Sequence, residues 1–146
     1  MEYTIKTFSV KLEVAEGTTE KANTPFNVVN ILRGHYANLD ADQEHFTIMF
    51  LDNGLNIRGI KTVFSGGIAE STIDYRVIFR LALLSSCTSL IIAHNHPSGN
   101  CTPSIEDHNV TNAIKDIGKF HNIPLKDHIV LGSNNEFYSY LENRLL

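Results

Sequence analysis

The fold is decided by residues 90–107, which read LIIAHNHPSGNCTPSIED. The four residues Leu90–Ala93 are all apolar, which is typical of a short strand that is buried on both faces of a sheet. A proline and a glycine then stop this strand. Pro103-Ser104 begins a helix that the apolar pattern predicts over Ile105–Asn122. A buried strand that turns directly into a helix is therefore the central unit predicted for this chain.

Two histidines and one carboxylate flank this turn. His94 and His96 are two residues apart at the strand end, where side chains with this spacing point to the same side. Asp107 is in the first turn of the predicted helix, so the returning chain can bring its carboxylate beside both imidazoles. This ligand set suits Zn²⁺ and leaves a fourth position for water. Water at such a site attacks carbonyl carbons at neutral pH, so peptide or isopeptide hydrolysis is the natural reaction class.

The remaining sequence predicts a central mixed sheet flanked by helices, an α/β arrangement in one domain. Apolar stripes predict that three helices face the core through Phe26, Val29, Ile31 and Leu32, through Val77, Ile78, Leu81 and Leu84, and through Val110, Ile114, Ile117 and Phe120. The other predicted elements are a strand over Tyr3–Val14, a helix from Thr24-Pro25 to Gly34 or Leu39, a hairpin of Phe46–Leu51 and Leu55–Phe64 around Asn53-Gly54, a helix over Tyr75–Cys87 capped by Asp74, and closing strands over His128–Gly132 and Phe137–Leu141.

Composition excludes several classes of protein. Of 146 residues, 42% are hydrophobic and 19% charged, which disfavours disorder, and the net charge of −4 disfavours strong non-specific binding to nucleic acid. Two cysteines, Cys87 and Cys101, make no disulfide framework. The sequence shows neither a signal peptide nor an apolar run of about 20 residues that could span a membrane. These features predict one cytoplasmic domain over residues 1–146 with no membrane partner, and they leave the oligomeric state open.

The spacing of His94, His96, Ser104 and Asp107 resembles the JAMM signature of the JAB/MPN metalloprotease superfamily. That signature is His-x-His, seven residues, Ser, two residues and Asp. More narrowly, the segment from His94 to Gly99, followed by Pro103-Ser104, is similar to the RadC branch. The likeness extends over Gln43–Tyr140 and includes Glu44-His45-Phe46, Phe50-Leu51-Asp52 and the segment from Phe64 to Gly67.

This resemblance implies both a fold and a set of roles. The implied fold is the JAB/MPN fold, a curved mixed sheet with helices packed on it, similar to the cytidine-deaminase layout. His94, His96 and Asp107 are expected as zinc ligands, and Ser104 as the residue that steadies the water or the tetrahedral intermediate. Glu44 matches the general acid/base glutamate of the family. Spacing alone does not select it, because Glu70 and Glu106 are equally available carboxylates.

Alternative functions follow from the same resemblance. The expected activity is that of a zinc metallopeptidase on a peptide or protein substrate. About forty residues precede Glu44, so we expect no N-terminal helix-hairpin-helix region of the kind that full-length RadC proteins usually carry. A DNA-repair or recombination accessory protein is one alternative, with DNA as its partner. A non-catalytic JAB/MPN scaffold is another, although such scaffolds typically lose metal ligands. A zinc deaminase requires His-x-Glu and Pro-Cys-x-x-Cys, which this sequence lacks.

Some of these residues also have purely structural interpretations. Ser104 and Asp107 have the spacing of a capping box, in which each side chain satisfies a backbone N–H of the other at a helix start. Cys101 is a poor candidate for a fourth ligand, because a closed site would exclude water. Four other histidines, His45, His108, His121 and His128, are predicted at the surface or the core edge. The segment Ser65–Gly67 is either a simple turn or the border of a substrate groove.

Overall fold

The structure is a computed structural model that describes residues 20–67 and 73–146. In these residues the elements are α1 (Pro25–Tyr36), β1 (His45–Leu51), β2 (Ile57–Ser65), α2 (Tyr75–Leu84), β3 (Ser89–Asn95), α3 (Ile105–Phe120), β4 (Leu125–Leu131) and β5 (Phe137–Ser139). The strand predicted over Tyr3–Val14 lies outside the described residues.

The strands of the described residues form one sheet in the order β2-β1-β3-β4-β5. β3 lies in the middle, antiparallel to β1 and parallel to β4. The outer pairs, β1 with β2 and β4 with β5, are antiparallel. The predicted α/β fold, a mixed sheet flanked by helices, is therefore confirmed. The two strand partners of β3 hold it from both sides.

This sheet separates two apolar cores, because successive side chains of a strand point to opposite faces. One core joins the sheet to α2 and α3, and includes Phe46, Ile48, Leu90, Ile92, Ile78, Phe79, Val110 and Ile114. The other joins the sheet to α1, and includes Met49, Leu51, Ile91, Ala93, Val28, Val29 and Leu32. A fully buried side chain of this size contributes about 1.5–3 kcal/mol. The centre of the sheet is thus a firm base for the residues at its end.

The predicted helix starts are confirmed by their caps. The side chain of Thr24 accepts a hydrogen bond from the backbone N–H of Asn27, and Pro25 occupies the first helical position. Asp74 caps α2 in the same way, by accepting from the backbone N–H of Arg76. Each cap satisfies a donor that the first helical turn leaves without an intrahelical partner.

The prediction that three residues lie in the buried stripes of their helices is wrong. Phe26 is 65% exposed, Leu84 37% and Phe120 87%. Each lies six residues from a fully buried residue of its own helix, respectively Leu32, Ile78 and Ile114. At about 100° per residue, six residues place a side chain about 120° around the helix from the buried stripe. Val28, Phe79 and Ala82 take the buried positions instead.

Several boundaries also differ from the predictions. β2 begins at Ile57 rather than at Leu55, and the positive φ of the hairpin turn falls on Leu55 (59°) rather than on Asn53-Gly54. The reason is the carboxylate of Asp52, which accepts hydrogen bonds from the backbone N–H groups of Gly54 and Asn56 and so shapes a longer turn. At their C-terminal ends, α2 stops at Leu84 and α3 at Phe120, a few residues earlier than predicted.

Candidate metal centre

The end of β3 places two imidazoles side by side. His94 is fully buried, and its strand neighbours are Phe46 on β1 and Val130 on β4. His96 lies just beyond the strand and is half-buried. Its backbone N–H still donates to the carbonyl of Leu131, which extends the pairing with β4. As a result, the Nε2 atoms of the two histidines are 2.9 Å apart.

Asp107 reaches this pair from the start of α3. The Ser104 hydroxyl accepts from the backbone N–H of Asp107 at 3.1 Å, and Oδ2 of Asp107 accepts from the backbone N–H of Ser104 at 2.7 Å. This is the capping box that the spacing allows. The same carboxylate lies 3.1 Å from Nε2 of His94 and 3.4 Å from Nε2 of His96. The structural and the metal-binding interpretations of Asp107 are therefore compatible, because capping fixes the carboxylate where the histidines point.

Glu44 reaches the cluster from the position immediately before β1. Its Oε1 atom is 3.8 Å from Nε2 of His94 and 3.9 Å from Nε2 of His96, beyond direct hydrogen-bond distance. Its side chain is 21% exposed. The backbone carbonyl of Glu44 accepts from the N–H of Gly66 at 2.9 Å. Gly66, which directly follows the end of β2 at Ser65, thus supports the backbone of Glu44.

Asn95 joins the two sides of the cluster. It lies between the two histidines in sequence, and its Oδ1 atom accepts from the backbone N–H of His45 at 2.8 Å. Its Nδ2 atom donates to the carbonyl of Gln43, also at 2.8 Å. One side-chain amide thereby holds the backbone on both sides of Glu44. These bonds continue the link between β1 and β3 after the last paired residues, Phe46 and His94.

The donor atoms of this cluster fit a metal ion. One ligand atom from each of Glu44, His94, His96 and Asp107 lies within 4.8 Å of all the others. The Nδ1 atom of His96 is 2.6 Å from the carbonyl of Asn100, which can only accept, so Nδ1 carries the proton. In its neutral form His96 then presents an Nε2 lone pair to the carboxylates. Such a group of acceptors requires positive charge, which either a proton or a bound cation supplies.

The pKa shifts have the signs expected for such a site. Burial alone raises the pKa of Asp107, but hydrogen bonds and charge interactions with His94 and His96 outweigh it and hold the pKa well below its usual range. The pKa of His96 is raised, chiefly by its hydrogen bond to Asp107 and against the effect of burial. In the metal-free protein Asp107 is therefore ionised, and His96 readily carries the balancing proton.

Two histidines were placed wrongly by the sequence. His128 is fully buried rather than at the surface or the core edge, and its Nε2 atom is 2.8 Å from Nδ1 of His94. His45 is 5% exposed, with ring hydrogen bonds to Ser65 and to the carbonyl of Asp40. The signal for His128 was its place directly before the apolar residues Ile129–Leu131 of β4, where a buried histidine needs a polar partner.

The remaining candidates are outside the cluster. Cys101 is partly buried and does not contribute a ligand atom to the four-residue group. Glu106 is exposed beside Asp107 and also lies outside it. Glu70 is not among the described residues. Of the carboxylates that sequence left open as the acid/base, Glu44 is the one that the described structure brings to the histidines. Ser104 is exposed at the rim of the cluster, next to Asp107 in the capping box.

Several curated proteins are similar in sequence to this chain. A UPF0758 protein from Clostridium beijerinckii is 40% identical over 126 residues, which are 86% of this chain and 54% of the relative. A UPF0758 protein from Clostridium perfringens is 37% identical over 136 residues, 93% of this chain and 59% of the relative. One from Rubrobacter xylanophilus is 34% identical over 124 residues, 85% of this chain and 53% of the relative. The chain spans about half the length of these curated relatives.

Among the described helices, none of α1–α3 is both long and apolar enough to cross a bilayer.

A family model described as the RadC-like JAB domain matches residues 22–145, which include the elements α1–β5 and the four residues of the cluster. The chain therefore belongs to the RadC family and carries its JAB domain.

Proposed function

We propose that this domain is a zinc-dependent hydrolase of the JAMM type that cleaves a peptide or isopeptide bond. The observation that carries the proposal is the convergence of Glu44, His94, His96 and Asp107, whose ligand atoms lie within 4.8 Å of one another. Membership of a JAB domain family supports the same reading. The chain covers about half of the length of its relatives, so the substrates and partners of a whole family protein are likewise part of what is proposed here rather than known.

His94, His96 and Asp107 are the proposed metal ligands. Two imidazoles and one carboxylate are a common set for catalytic zinc, in which three protein ligands leave a position open. Zinc held there supplies a Lewis acid and makes water available as a nucleophile at neutral pH. The protein's part is to hold these three groups in one geometry, which β3, the Asn100 carbonyl and the capping box of α3 provide.

Glu44 is the proposed general base and acid. Its carboxylate oxygen Oε1 lies 3.8–3.9 Å from the two histidine Nε2 atoms, so it borders the proposed metal position. In that position Glu44 takes a proton from the attacking water onto its carboxylate and then gives it to the nitrogen of the leaving amine. Its partial exposure, 21% of the side chain, keeps it accessible to a substrate.

Ser104 is the proposed donor to the oxyanion. Its oxygen accepts from the N–H of Asp107, which leaves the hydroxyl proton available to a negatively charged oxygen on the substrate. A cleft of about 280 Å³ beside His96, lined also by Arg33, Asp40, His45 and Pro97, gives the substrate further space. This cleft offers room for a side chain next to the scissile bond.

Metal analysis joined to a cleavage screen tests the proposal. We expect the purified chain to bind one zinc ion, and His94→Ala/His96→Ala to lose it while keeping the circular dichroism of the folded protein. Zinc-loaded wild type is then incubated with a library of quenched fluorescent peptides and isopeptides. Glu44→Gln should bind zinc normally but lose at least 100-fold in turnover. Full zinc binding by the double variant, or unchanged turnover in Glu44→Gln, would contradict the proposed roles.

A further inference from the structure

A chain of hydrogen bonds runs from the cluster into the core of the protein. Nδ1 of His94 is 2.8 Å from Nε2 of His128, and Nδ1 of His128 is 2.6 Å from the hydroxyl of Thr111. The Thr111 hydroxyl is in turn 2.5 Å from the backbone carbonyl of Asp107. All three side chains are buried, with exposures of 0% for the two histidines and 1% for Thr111. The chain thus begins at one proposed ligand and ends at the backbone of another.

The direction of each bond is fixed from the far end. A backbone carbonyl only accepts, so the Thr111 hydroxyl donates to Asp107. The hydroxyl has one proton and has used it, so it accepts from His128, whose Nδ1 atom therefore carries a proton. A neutral imidazole has one N–H, so Nε2 of His128 is an acceptor and Nδ1 of His94 must donate to it.

The neutral state of His128 follows from its surroundings. The ring of His128 is 0% exposed, and burial disfavours the charged form of an imidazole. Its ring stacks on Tyr140, at 4.8 Å between centroids and 16° between planes, and meets the edge of Phe46. These apolar contacts disfavour an imidazolium. Both of its ring nitrogens are already paired, so the neutral ring leaves no buried polar atom unsatisfied.

We propose that His128 is a positioning residue that holds His94 in the tautomer with its proton on Nδ1, so that the Nε2 lone pair faces the metal site. His96 reaches the same state by another device, the carbonyl of Asn100 on its Nδ1 atom. His94 is on the central strand with its ring buried, and His128 of the adjacent strand β4 takes the place of that carbonyl. The consequence for metal binding rests on the proposed function, whereas the tautomer is a property of the metal-free chain.

Tautomer control of this kind has a measurable effect on affinity. The partners of metal-binding histidines orient the ring and fix its protonated nitrogen, and their loss typically weakens metal binding by about 10–100-fold. The same fixed geometry restrains Asp107, because Thr111 bonds to the carbonyl of that residue. We therefore expect His128→Phe, which keeps a ring against Tyr140 but removes the acceptor, to bind zinc about 10–100-fold more weakly than wild type.

Two further variants separate positioning from packing. His128→Gln offers an amide oxygen near the position of Nε2, and we expect it to restore most of the affinity lost in the Phe variant. Thr111→Val keeps the shape but removes the hydroxyl that orients His128, and we expect an intermediate loss. Thr47→Val is the matched control, since Thr47 is as deeply buried and is hydrogen-bonded to Thr62, but it is not part of the hydrogen-bond chain from His94 to Asp107. It should bind zinc as tightly as wild type.

The decisive measurement uses the full chain labelled with ¹⁵N-histidine, free of metal and at mildly alkaline pH. Nitrogen shifts should assign a protonated Nδ1 to His94 in wild type, and a mixture of tautomers in His128→Phe or, should that variant not fold, in Thr111→Val. Zinc affinity is then measured by competition with a chromophoric chelator. A wild type that binds no zinc refutes the proposed function but leaves the tautomer assignment to decide this inference. A proton on Nε2 of His94 in wild type, or equal zinc affinity in a folded His128→Phe, overturns it.

Discussion

Replacement of Asn95 tests whether one amide joins the two halves of the site. Asn95→Ala removes both hydrogen bonds, each 2.8 Å long, that hold the backbone on either side of Glu44. Gln43 is exposed, so water can replace the amide at its carbonyl and the net loss there is about 1 kcal/mol. His45 is 5% exposed, and its stranded N–H costs about 1–3 kcal/mol. The free energy of unfolding should therefore fall by about 2–4 kcal/mol.

A second substitution divides this loss between the two bonds. Asn95→Asp keeps an acceptor for the N–H of His45 but turns an oxygen toward the carbonyl of Gln43 in place of the donor. We expect about half the destabilisation of the alanine variant. Neither change touches a proposed ligand atom, so zinc affinity should stay within a few-fold of wild type. Turnover should nevertheless fall, because the carboxylate of Glu44 is no longer held in place.

Urea unfolding of the metal-free variants measures the free energies, and chelator competition measures the zinc affinities. Asn112→Ala is the matched control, because Asn112 is exposed on α3 and its loss should change stability by less than about 0.5 kcal/mol. If Asn95→Ala unfolds within about 0.5 kcal/mol of that control, the amide does not hold the backbone around Glu44, and the reasoning fails.

Two more predictions concern the metal and its supporting loop. The pKa of His96 is raised, chiefly by its hydrogen bond to Asp107, so below that pKa zinc must displace a proton. Zinc affinity should therefore fall about tenfold per pH unit on the acid side and level off on the alkaline side. A flat chelator-competition profile from acid to alkaline pH would contradict this prediction. In Gly132→Ala a Cβ would lie 2.6 Å from the carbonyl of Gly99, in the loop that also carries the Asn100 carbonyl, so both the free energy of unfolding, by about 1–3 kcal/mol, and the zinc affinity should fall. Gly34→Ala, which has open space around it, is the control and should be neutral or stabilising by urea unfolding. Equal stability of the two variants would show that the loop adjusts to the added methyl group without cost.

The sequence predicted the framework of this protein because local signals agree with the tertiary contacts. Leu90–Ala93 is apolar on every residue, and the structure pairs it on both sides. Thr24, Asp74 and Ser104 cap the helices that they were expected to begin. The buried faces of the helices were less predictable. An exposed aromatic residue such as Phe120 departs from the apolar stripe of its helix, and nothing in the neighbouring sequence indicates that it is exposed.

The parts of the site that sequence could not supply come from distant segments. Nothing around Glu44 distinguishes it from Glu106, because its place depends on the pairing of β1 with β3 and on the amide of Asn95. The partnership of His128 with His94 joins residues 34 positions apart across two parallel strands. Periodicity describes one segment at a time, and these contacts arise only when strands come together.

The double use of Asp107 constrains how this site can decay in evolution. Its carboxylate is at once the cap of α3 and the carboxylate closest to both histidines, so a lineage that abandons the proposed catalysis cannot discard it freely. Asparagine at this position retains an oxygen for the cap while giving up the negative charge, whereas alanine sacrifices the helix start as well. Inactive descendants should consequently drift through their histidines, or through asparagine at 107, long before they accept an apolar residue there.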